Sequence, residues 1–366
     1  MKEVAIKQIC EKGSSALKQK ELLDSGSFPV YGASGIAGYL DFYHQAKPYI
    51  GIVKDGSGIG RVDFYPEKSS LIGTMQYILP KRGFDIRYIG YCLLSLDLSK
   101  YKQGAAIPHI YFRDYGERIV KVTDDEKEQQ QIVSRLDAAF AQIDALKANA
   151  EKQLAEARAL FQKALEEAMK PKEGWEEKRL KELTSEIGDG LHGTPKYSEN
   201  GEYFFVNGNN LENGSIEIKD NTKRVSFGEY EKYRLDLNVN TVFLSINGTI
   251  GKTAFYNGEP VILGKSACYI NVLPSLKKEY LRYYLLSDGF MNYAKKNSRQ
   301  ATIVNLGLKE IRNMPIPIPE TNADQQQIVS HLDSLSAKVR ELEEVERKTM
   351  AECDALKQAM LREVFE

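Results

Sequence analysis

A nine-residue run occurs twice in this chain. Gln129-Gln130-Gln131-Ile132-Val133-Ser134-Arg135-Leu136-Asp137 returns as Gln325-Gln326-Gln327-Ile328-Val329-Ser330-His331-Leu332-Asp333, 196 residues later in a sequence of 366. Solenoid repeats recur every 20 to 50 residues, so a repeat of about half the chain indicates a duplicated domain. Two similar halves imply two similar tasks.

Downstream of each copy, apolar or small residues recur in alternating steps of four and three. The first copy leads into Ile132, Leu136, Ala139, Ile143, Leu146 and Ala150, then Ala157, Leu160 and Ala164. The second leads into Ile328, Leu332, Leu335, Val339 and Leu342, then Cys353, Leu356 and Met360, with Gln153, Glu346 and Thr349 as polar interruptions. This spacing predicts two heptad seams, in which Leu146, Leu160, Leu342 and Leu356 would be buried. Between Asp124 and Ala168 there is no proline or glycine, and good helix formers dominate. At 1.5 Å per residue such a helix would run roughly 65 Å. The first helix leaves the first globule and the second returns from the other, so the topology permits antiparallel pairing; if helices of equal length and phase pair so, Ile132 should lie near Met360 and Ala164 near Ile328.

The repeat also reaches, more faintly, into the segments before each helix. Ala105-Ala106-Ile107 matches Ala301-Thr302-Ile303, Gly58-Ile59-Gly60-Arg61 matches Thr249-Ile250-Gly251-Lys252, and Ile6 and Ile9 match Leu180 and Leu183. The plan is therefore globule (1–121), helix (122–170), globule (171–320), helix (321–366), with a pseudo-twofold internal repeat. Charge follows these borders: the globules carry net +5 and +1, the helices −3 and −4. A near-neutral whole thus contains basic-leaning globules, the parts a polyanion would meet.

No apolar run long enough for a membrane span occurs, and Met1-Lys2-Glu3 does not open a signal peptide, so a cytoplasmic protein is expected. Cys10, Cys92, Cys268 and Cys353 are scattered without a Cys-x-x-Cys spacing, and His44, His109, His192 and His331 form no ligand pair. Neither disulfides nor a metal site is expected.

Inside the globules, β-branched and aromatic runs such as Tyr49–Val53 and Thr241–Ser245 each precede a glycine-rich turn, which predicts strands. Short helices are expected over Tyr88–Leu96 and Glu279–Leu286, giving α+β globules with twisted β-sheets. Pro315-Ile316-Pro317-Ile318-Pro319 forbids helix ahead of the second long helix, for which Asn322 or Asp324 is the expected cap.

Several segments imitate catalytic motifs. Gly248-Thr249-Ile250-Gly251-Lys252-Thr253 has two residues between its glycines where a phosphate-binding P-loop requires four. Gly56-Ser57-Gly58-Ile59-Gly60 leads into a strand and not a helix, so no helix dipole would face a phosphate. Glu217-Ile218-Lys219 imitates a nuclease Glu-x-Lys but reads as alternating charge on a solvated strand. No Pro-Pro occurs, as an adenine methyltransferase clamp for a flipped base would need. The residues point away from a catalyst.

Two globules, two long helices each opened by a Gln-Gln-Gln-Ile-Val run, and a half-chain repeat resemble the specificity subunit of type I restriction-modification enzymes. The local signatures include Tyr31-Gly32-Ala33-Ser34-Gly35-Ile36, Lys54-Asp55-Gly56, Gln103-Gly104-Ala105-Ala106-Ile107-Pro108-His109 and Gly190-Leu191-His192-Gly193-Thr194-Pro195. Asn207-Gly208-Asn209-Asn210 and Ser298-Arg299-Gln300-Ala301-Thr302 complete the set. The resemblance covers the whole chain. It implies two target recognition domains, each reading half of a split double-stranded DNA site, and two spacer helices that pair antiparallel as a coiled coil. It further implies two modification subunits, which carry S-adenosylmethionine and methylate adenine, and restriction subunits that use ATP and Mg. This chain would hold no cofactor or metal and catalyse nothing. Reading bases requires polar side chains at base edges, whereas phosphate contacts only position. The candidate DNA-binding residues are Lys54, Asp55, Ser57, Arg61, Gln76, Tyr77 and His109 in the first globule. In the second they are His192, Lys196, Tyr197, Asn207, Asn209, Asn247, Lys252, Arg299 and Gln300. The alternatives are a coiled-coil scaffold whose globules bind protein, and a fused nuclease or methyltransferase.

Overall fold

A computed structural model describes residues 1–104, 108–298 and 304–366. The chain forms two compact units: Met1–Lys152 with Val345–Glu366, and Gln153–Glu344. Arg299, Gln300 and the matched triplets 105–107 and 301–303 lie outside the described residues.

Unit 1 is built on a four-stranded sheet of Cys10–Ser14 (β1), Tyr49–Val53 (β2), Val62–Tyr65 (β3) and Met75–Pro80 (β4), ordered β1-β4-β2-β3 with every pair antiparallel. All five residues of β2 are buried, which its unbroken apolar run Tyr-Ile-Gly-Ile-Val requires. A second sheet places Phe28–Gly32 between an antiparallel neighbour, Gly35–Leu40, and a parallel one, Ser70–Leu71. Helix α1 (Ile86–Ser95) covers the first sheet and is capped by Asp85, whose carboxylate accepts from the Arg87 and Tyr88 amides. Lys2–Ala5 pairs with Ile119–Val122 and ties the first strand of the globule to its last.

The long helix α2 runs Glu126–Met169, as the proline- and glycine-free stretch predicts. Asp125 opens it by accepting from the Lys127 and Glu128 amides at 2.8 and 3.3 Å.

Unit 2 repeats these connections. Thr184–Asp189 (β5), Thr241–Ser245 (β6), Thr253–Phe255 (β7) and Ala267–Val272 (β8) form a sheet ordered β5-β8-β6-β7, again antiparallel throughout. Tyr203–Val206 likewise lies between an antiparallel strand, Lys223–Val225, and a parallel one, Val261–Leu263. Glu176–Arg179 pairs with Pro315–Ile318. The alternating prolines sit in this strand because a two-stranded ribbon leaves one edge without ladder bonds, where their missing N–H groups cost nothing. Helix α3 (Lys278–Leu286) covers the sheet, and the second long helix, α4, spans Asn322–Phe365. Its cap is Thr321, in place of the expected Asn322 or Asp324. The Thr321 hydroxyl accepts from the Asp324 amide at 3.1 Å and donates to its carboxylate at 2.7 Å.

The long helices pair antiparallel within each unit. In unit 1, Lys147 meets Asp354 at 2.8 Å and Asp144 meets Lys357 at 2.5 Å, while Ile132 and Met360 pack against one core containing Leu136, Leu361 and Phe365. In unit 2, Arg158 meets Glu343 at 2.7 Å, and Ala164 and Ile328 line one cavity beside buried Leu332.

The heptad seam is corrected. Leu136, Ile143 and Leu332 are buried and Ile132, Ile328, Val339 and Met360 half-buried, but Leu146, Leu160, Leu342 and Leu356 are 53%, 68%, 37% and 51% exposed. The covered track keeps Ile143, Ala150 and Ala157 of the predicted seam and places Lys147, Leu154, Phe161 and Leu165 between and beyond them. That is the 3.6-residue period of a straight helix, from which a 3.5-residue pattern drifts by about 20° per heptad. Past the first two turns the predicted leucines have rotated off the contact, and the aliphatic stems of Lys147 and Lys357 take their place, 20% and 22% exposed at the side chain.

The duplicated motif has a visible function in the fold. Its first glutamine is buried in both copies. Gln129 accepts from the Asp85 amide and donates to the Gly83 and Thr123 carbonyls, whereas Gln325 accepts from the Lys277 amide and donates to the Ser275 carbonyl. Each therefore satisfies backbone groups where α1 or α3 begins. The motif's closing aspartate accepts from a tyrosine of the same short helix, Asp137 from Tyr91 and Asp333 from Tyr283. One motif thus fastens each long helix to its globule.

Candidate nucleic-acid interface

In unit 1, four of the candidate residues converge. Lys54, Asp55, Gln76 and His109 line a cavity of about 460 Å³ together with Lys12, Ser14, Tyr111 and Arg113. Asp55 follows β2, where the backbone of Lys54 and Asp55 turns back on the Thr74 carbonyl, and its Oδ1 lies 2.6 Å from His109 Nδ1. His109 is held opposite by backbone bonds with Gln103, and the Ile110 amide donates to the Lys54 carbonyl. Lys54 Nζ completes the line at 3.3 Å from Asp55. Gln76, on β4, is 7% exposed and accepts from the Tyr115 hydroxyl at 2.6 Å, which fixes its amide plane. The mouth is aromatic and cationic: Tyr111 stacks on His109 at 6.3 Å, and the Arg113 guanidinium lies 4.6 Å from the Tyr111 ring centre. Three cations face one carboxylate across this lining, a charge balance that favours a polyanion.

The other candidates of unit 1 stand elsewhere. Tyr77 is 1% exposed and belongs to the core with Tyr49 and Tyr65; its hydroxyl accepts from the Leu71 amide, and burial pushes its pKa up. It is a packing residue. Arg61 is bound to Asp63 at 2.9 Å and donates to the Ala33 carbonyl, away from the cavity. Ser57 is exposed in the turn that Gly56, Gly58 and Gly60 form with φ of +83°, +79° and +85°. A side chain at Gly60 would stand 2.7 Å from the Ser99 amide nitrogen, so these glycines serve a tight turn.

In unit 2 the candidates fall into three groups. Asn207 and Asn247 meet around Ser266: the Ser266 hydroxyl lies 3.2 Å from Asn207 Oδ1, and the Asn247 side-chain amide donates to the Lys265 carbonyl at 3.1 Å. Asn209 is exposed beside them, and its carbonyl accepts from Lys219. Lys196 and exposed Tyr197 lie by the Lys223–Val225 strand, where Lys223 Nζ sits 5.9 Å from the Tyr197 ring centre and the Lys196 amide donates to Glu229. His192 is exposed and held 2.5 Å from Asp189. Lys252 is committed to Glu212 at 2.6 Å. Glu217-Ile218-Lys219 lies beyond the strand that ends at Ile216, and its two charges pair at 3.2 Å.

Sequence reasoning missed Lys12, Ser14, Tyr111 and Arg113 in unit 1. In unit 2 it missed a basic and aromatic surface of Lys223, Arg224, exposed Phe227 and the Tyr203–Tyr230 stack at 4.3 Å. An available signal was the aromatic–cation run Tyr111-Phe112-Arg113 directly after His109. Among the described residues no group of three or more His, Cys, Asp or Glu is placed to hold a metal ion, and no helix is long and apolar enough to cross a membrane.

Comparison with known proteins bears on the fold and the family. A chain of a type I R-M system, solved for its complex assembly and conformational transition, superposes with a TM-score of 0.71 at 17% identity, over 98% of this chain and 96% of its own. The HsdS subunit from Thermoanaerobacter tengcongensis gives 0.51 at 18% identity, over 98% and 95%. At these identities the likeness is one of fold. No curated protein sequence matches. The family profile of the type I restriction modification DNA specificity domain matches residues 1–156 and again 172–351, so that each half of the chain carries one copy. The chain therefore belongs to the type I restriction-modification DNA specificity family, whose members recognise DNA sequence.

Proposed function

We propose that each unit reads one half of a bipartite duplex DNA site, that the long helices set the distance between the halves and dock two modification subunits, and that the chain itself is not a catalyst. The observation carrying the reading role is the cavity of unit 1, where a carboxamide, a His–Asp pair and three cations converge on one opening. Gln76 and Asp55 present the amide and carboxylate groups that discriminate base edges, and Lys12, Lys54 and Arg113 supply phosphate contacts. In unit 2 the same division falls to Asn207, Asn209 and Asn247 against Lys196, Lys223 and Arg224. Arg299 and Gln300 remain candidates on sequence grounds.

The docking role is supported by the leucines that left the helix contact. Leu146 and Leu160 on α2, and Leu342 and Leu356 on α4, are exposed apolar side chains spaced by 14 residues on each helix, close to four turns. S-adenosylmethionine, ATP and Mg would belong to the modification and restriction subunits, and the assembly would work in the cytoplasm. The test is duplex binding by the complex of this chain with its methyltransferase. Sequence-specific binding that depends on Gln76 and Asn209 supports the reading; capture of a protein with no affinity for duplex DNA favours the scaffold alternative. Methylation by this chain alone would overturn the non-catalytic assignment.

A further inference from the structure

Unit 2 contains a cavity of about 330 Å³ that the DNA-reading role does not use, lined among others by Arg158, Gln162, Asn213, Arg282, Arg340 and Glu343. We propose that it is a binding pocket for a small oxyanion, a phosphate or a carboxylate, gripped by Arg282 and Arg340.

Arg282 projects from α3 and is 9% exposed. Its Nε is shut off from solvent and has no hydrogen-bond partner; among the described residues no other buried side-chain nitrogen or oxygen is in that state. A buried guanidinium Nε left so is costly unless an anion compensates it. The cost is visible in its pKa, which burial lowers and the neighbouring Arg340 charge lowers further, against the charges of Tyr283 and Asp333 and the hydrogen bond with Tyr283. The surroundings are shaped to this side chain. Gly214, with φ of +86° in the turn between Leu211–Glu212 and Ser215–Ile216, lies flat against it: a Cβ there would stand 3.0 Å from Nε and 3.3 Å from Cζ.

The lining holds three guanidinium groups and one carboxylate. That carboxylate, Glu343, is already bound by Arg158 through Nε at 3.1 Å and Nη2 at 2.7 Å. Among the described residues Arg340 makes only a long contact to the Ser336 hydroxyl at 3.5 Å. Two cations therefore face the space with no unpaired carboxylate in its lining, an arrangement suited to bidentate capture of an oxyanion.

Unit 1 shows that the fold does not require this feature. The Tyr91–Asp137 bond matches Tyr283–Asp333, which sets Gly90 in the place of Arg282 and Phe140 and Asp144 in the places of Ser336 and Arg340. There the Phe64 ring packs so closely on Gly90 that a Cβ would stand 2.2 Å from it, and Phe140 packs on Tyr91 at 5.4 Å. Apolar rings fill in one unit what cations line in the other.

The experiment is calorimetric titration of the full chain with inorganic phosphate in a chloride buffer, and separately with acetate. Saturable binding of one equivalent is expected for at least one probe, with affinity falling at least ten-fold in Arg282→Met and in Arg340→Met. The bound anion should raise the thermal midpoint of the native protein and leave that of Arg282→Met unmoved. Where Arg282→Met does not fold, the exposed Arg340→Met carries the comparison. A short nonspecific duplex distinguishes the source of the oxyanion: unchanged anion affinity of the native protein in its presence identifies a free anion, and competition by the duplex, with duplex binding itself weakened in Arg340→Met, identifies a backbone phosphate. Absence of saturable binding of either probe, or equal binding by the native protein and both variants, would overturn the proposal.

Discussion

Gln129 satisfies three backbone groups at once with a side chain that water does not reach. Replacing it with leucine keeps the volume and orphans the Asp85 amide and the Gly83 and Thr123 carbonyls. The expected loss of stability is roughly 2 to 4 kcal/mol, as for any buried polar group stripped of its partner. Gln130→Leu, one position along on the exposed face, should change little. Equal urea midpoints for the two variants would contradict the fastening role. The cysteines offer a second check at this scale. All four are buried, and burial pushes the Cys10 and Cys268 thiols up to about 12 from an ordinary 9. The folded state thus holds protons that the unfolded chain releases from about pH 9. Stability should be full below that pH and decline as pH rises from 9 towards 12. A thiol reagent at pH 8 should find no reactive cysteine until denaturant is added, and a rapidly reacting native thiol would contradict it.

At the scale of the element, the long helices divide what the sequence makes legible from what it does not. Their existence is legible because composition and the absence of Pro and Gly decide it. Which leucines they bury is not. A heptad and a straight helix agree over two turns and part company beyond, and the interface accepts Lys147 and Lys357 because their charges find Asp354 and Asp144. Ile143→Asp should therefore cost several kcal/mol by placing a carboxylate in a dry contact, whereas Leu146→Asp should be nearly neutral for folding. Under the proposed docking role, Leu146→Asp should instead weaken association with the modification subunit. Thermal melts of the free chain together with pull-down of the partner separate the two; a large loss of stability in Leu146→Asp would restore the heptad seam. The candidate site was legible in the same partial way. Lys54, Asp55 and His109 are turn and loop residues that a reader of polar clusters finds, but Lys12 and Arg113 reach them only because β1 pairs with β4 and the chain returns past His109. Tyr77 misled because its neighbour Gln76 faces the cavity, and adjacent strand residues point to opposite faces.

For the whole molecule, the same sheet order, the same central strand with one parallel and one antiparallel neighbour, and the same glutamine fastening occur twice. Duplicated structure with divergent loops is the design expected of a chain that reads two different half-sites. If the helices act as rulers, four residues inserted after Ala148 lengthen α2 by about 6 Å, close to two base pairs, and the bases read at either end should be unchanged. Methylome mapping that returned altered bases at an unaltered gap would exclude the ruler. Under the proposed function each unit reads its own half-site. The decisive measurement is binding of the methyltransferase complex to duplexes varied in one half-site at a time, with Gln76→Ala in unit 1 compared with Asn209→Ala in unit 2. Each variant should relax discrimination in one half-site, a different half for each, by about 1 to 3 kcal/mol, and leave the other half intact. Loss of discrimination in both halves from either variant, or in neither from both, would contradict it.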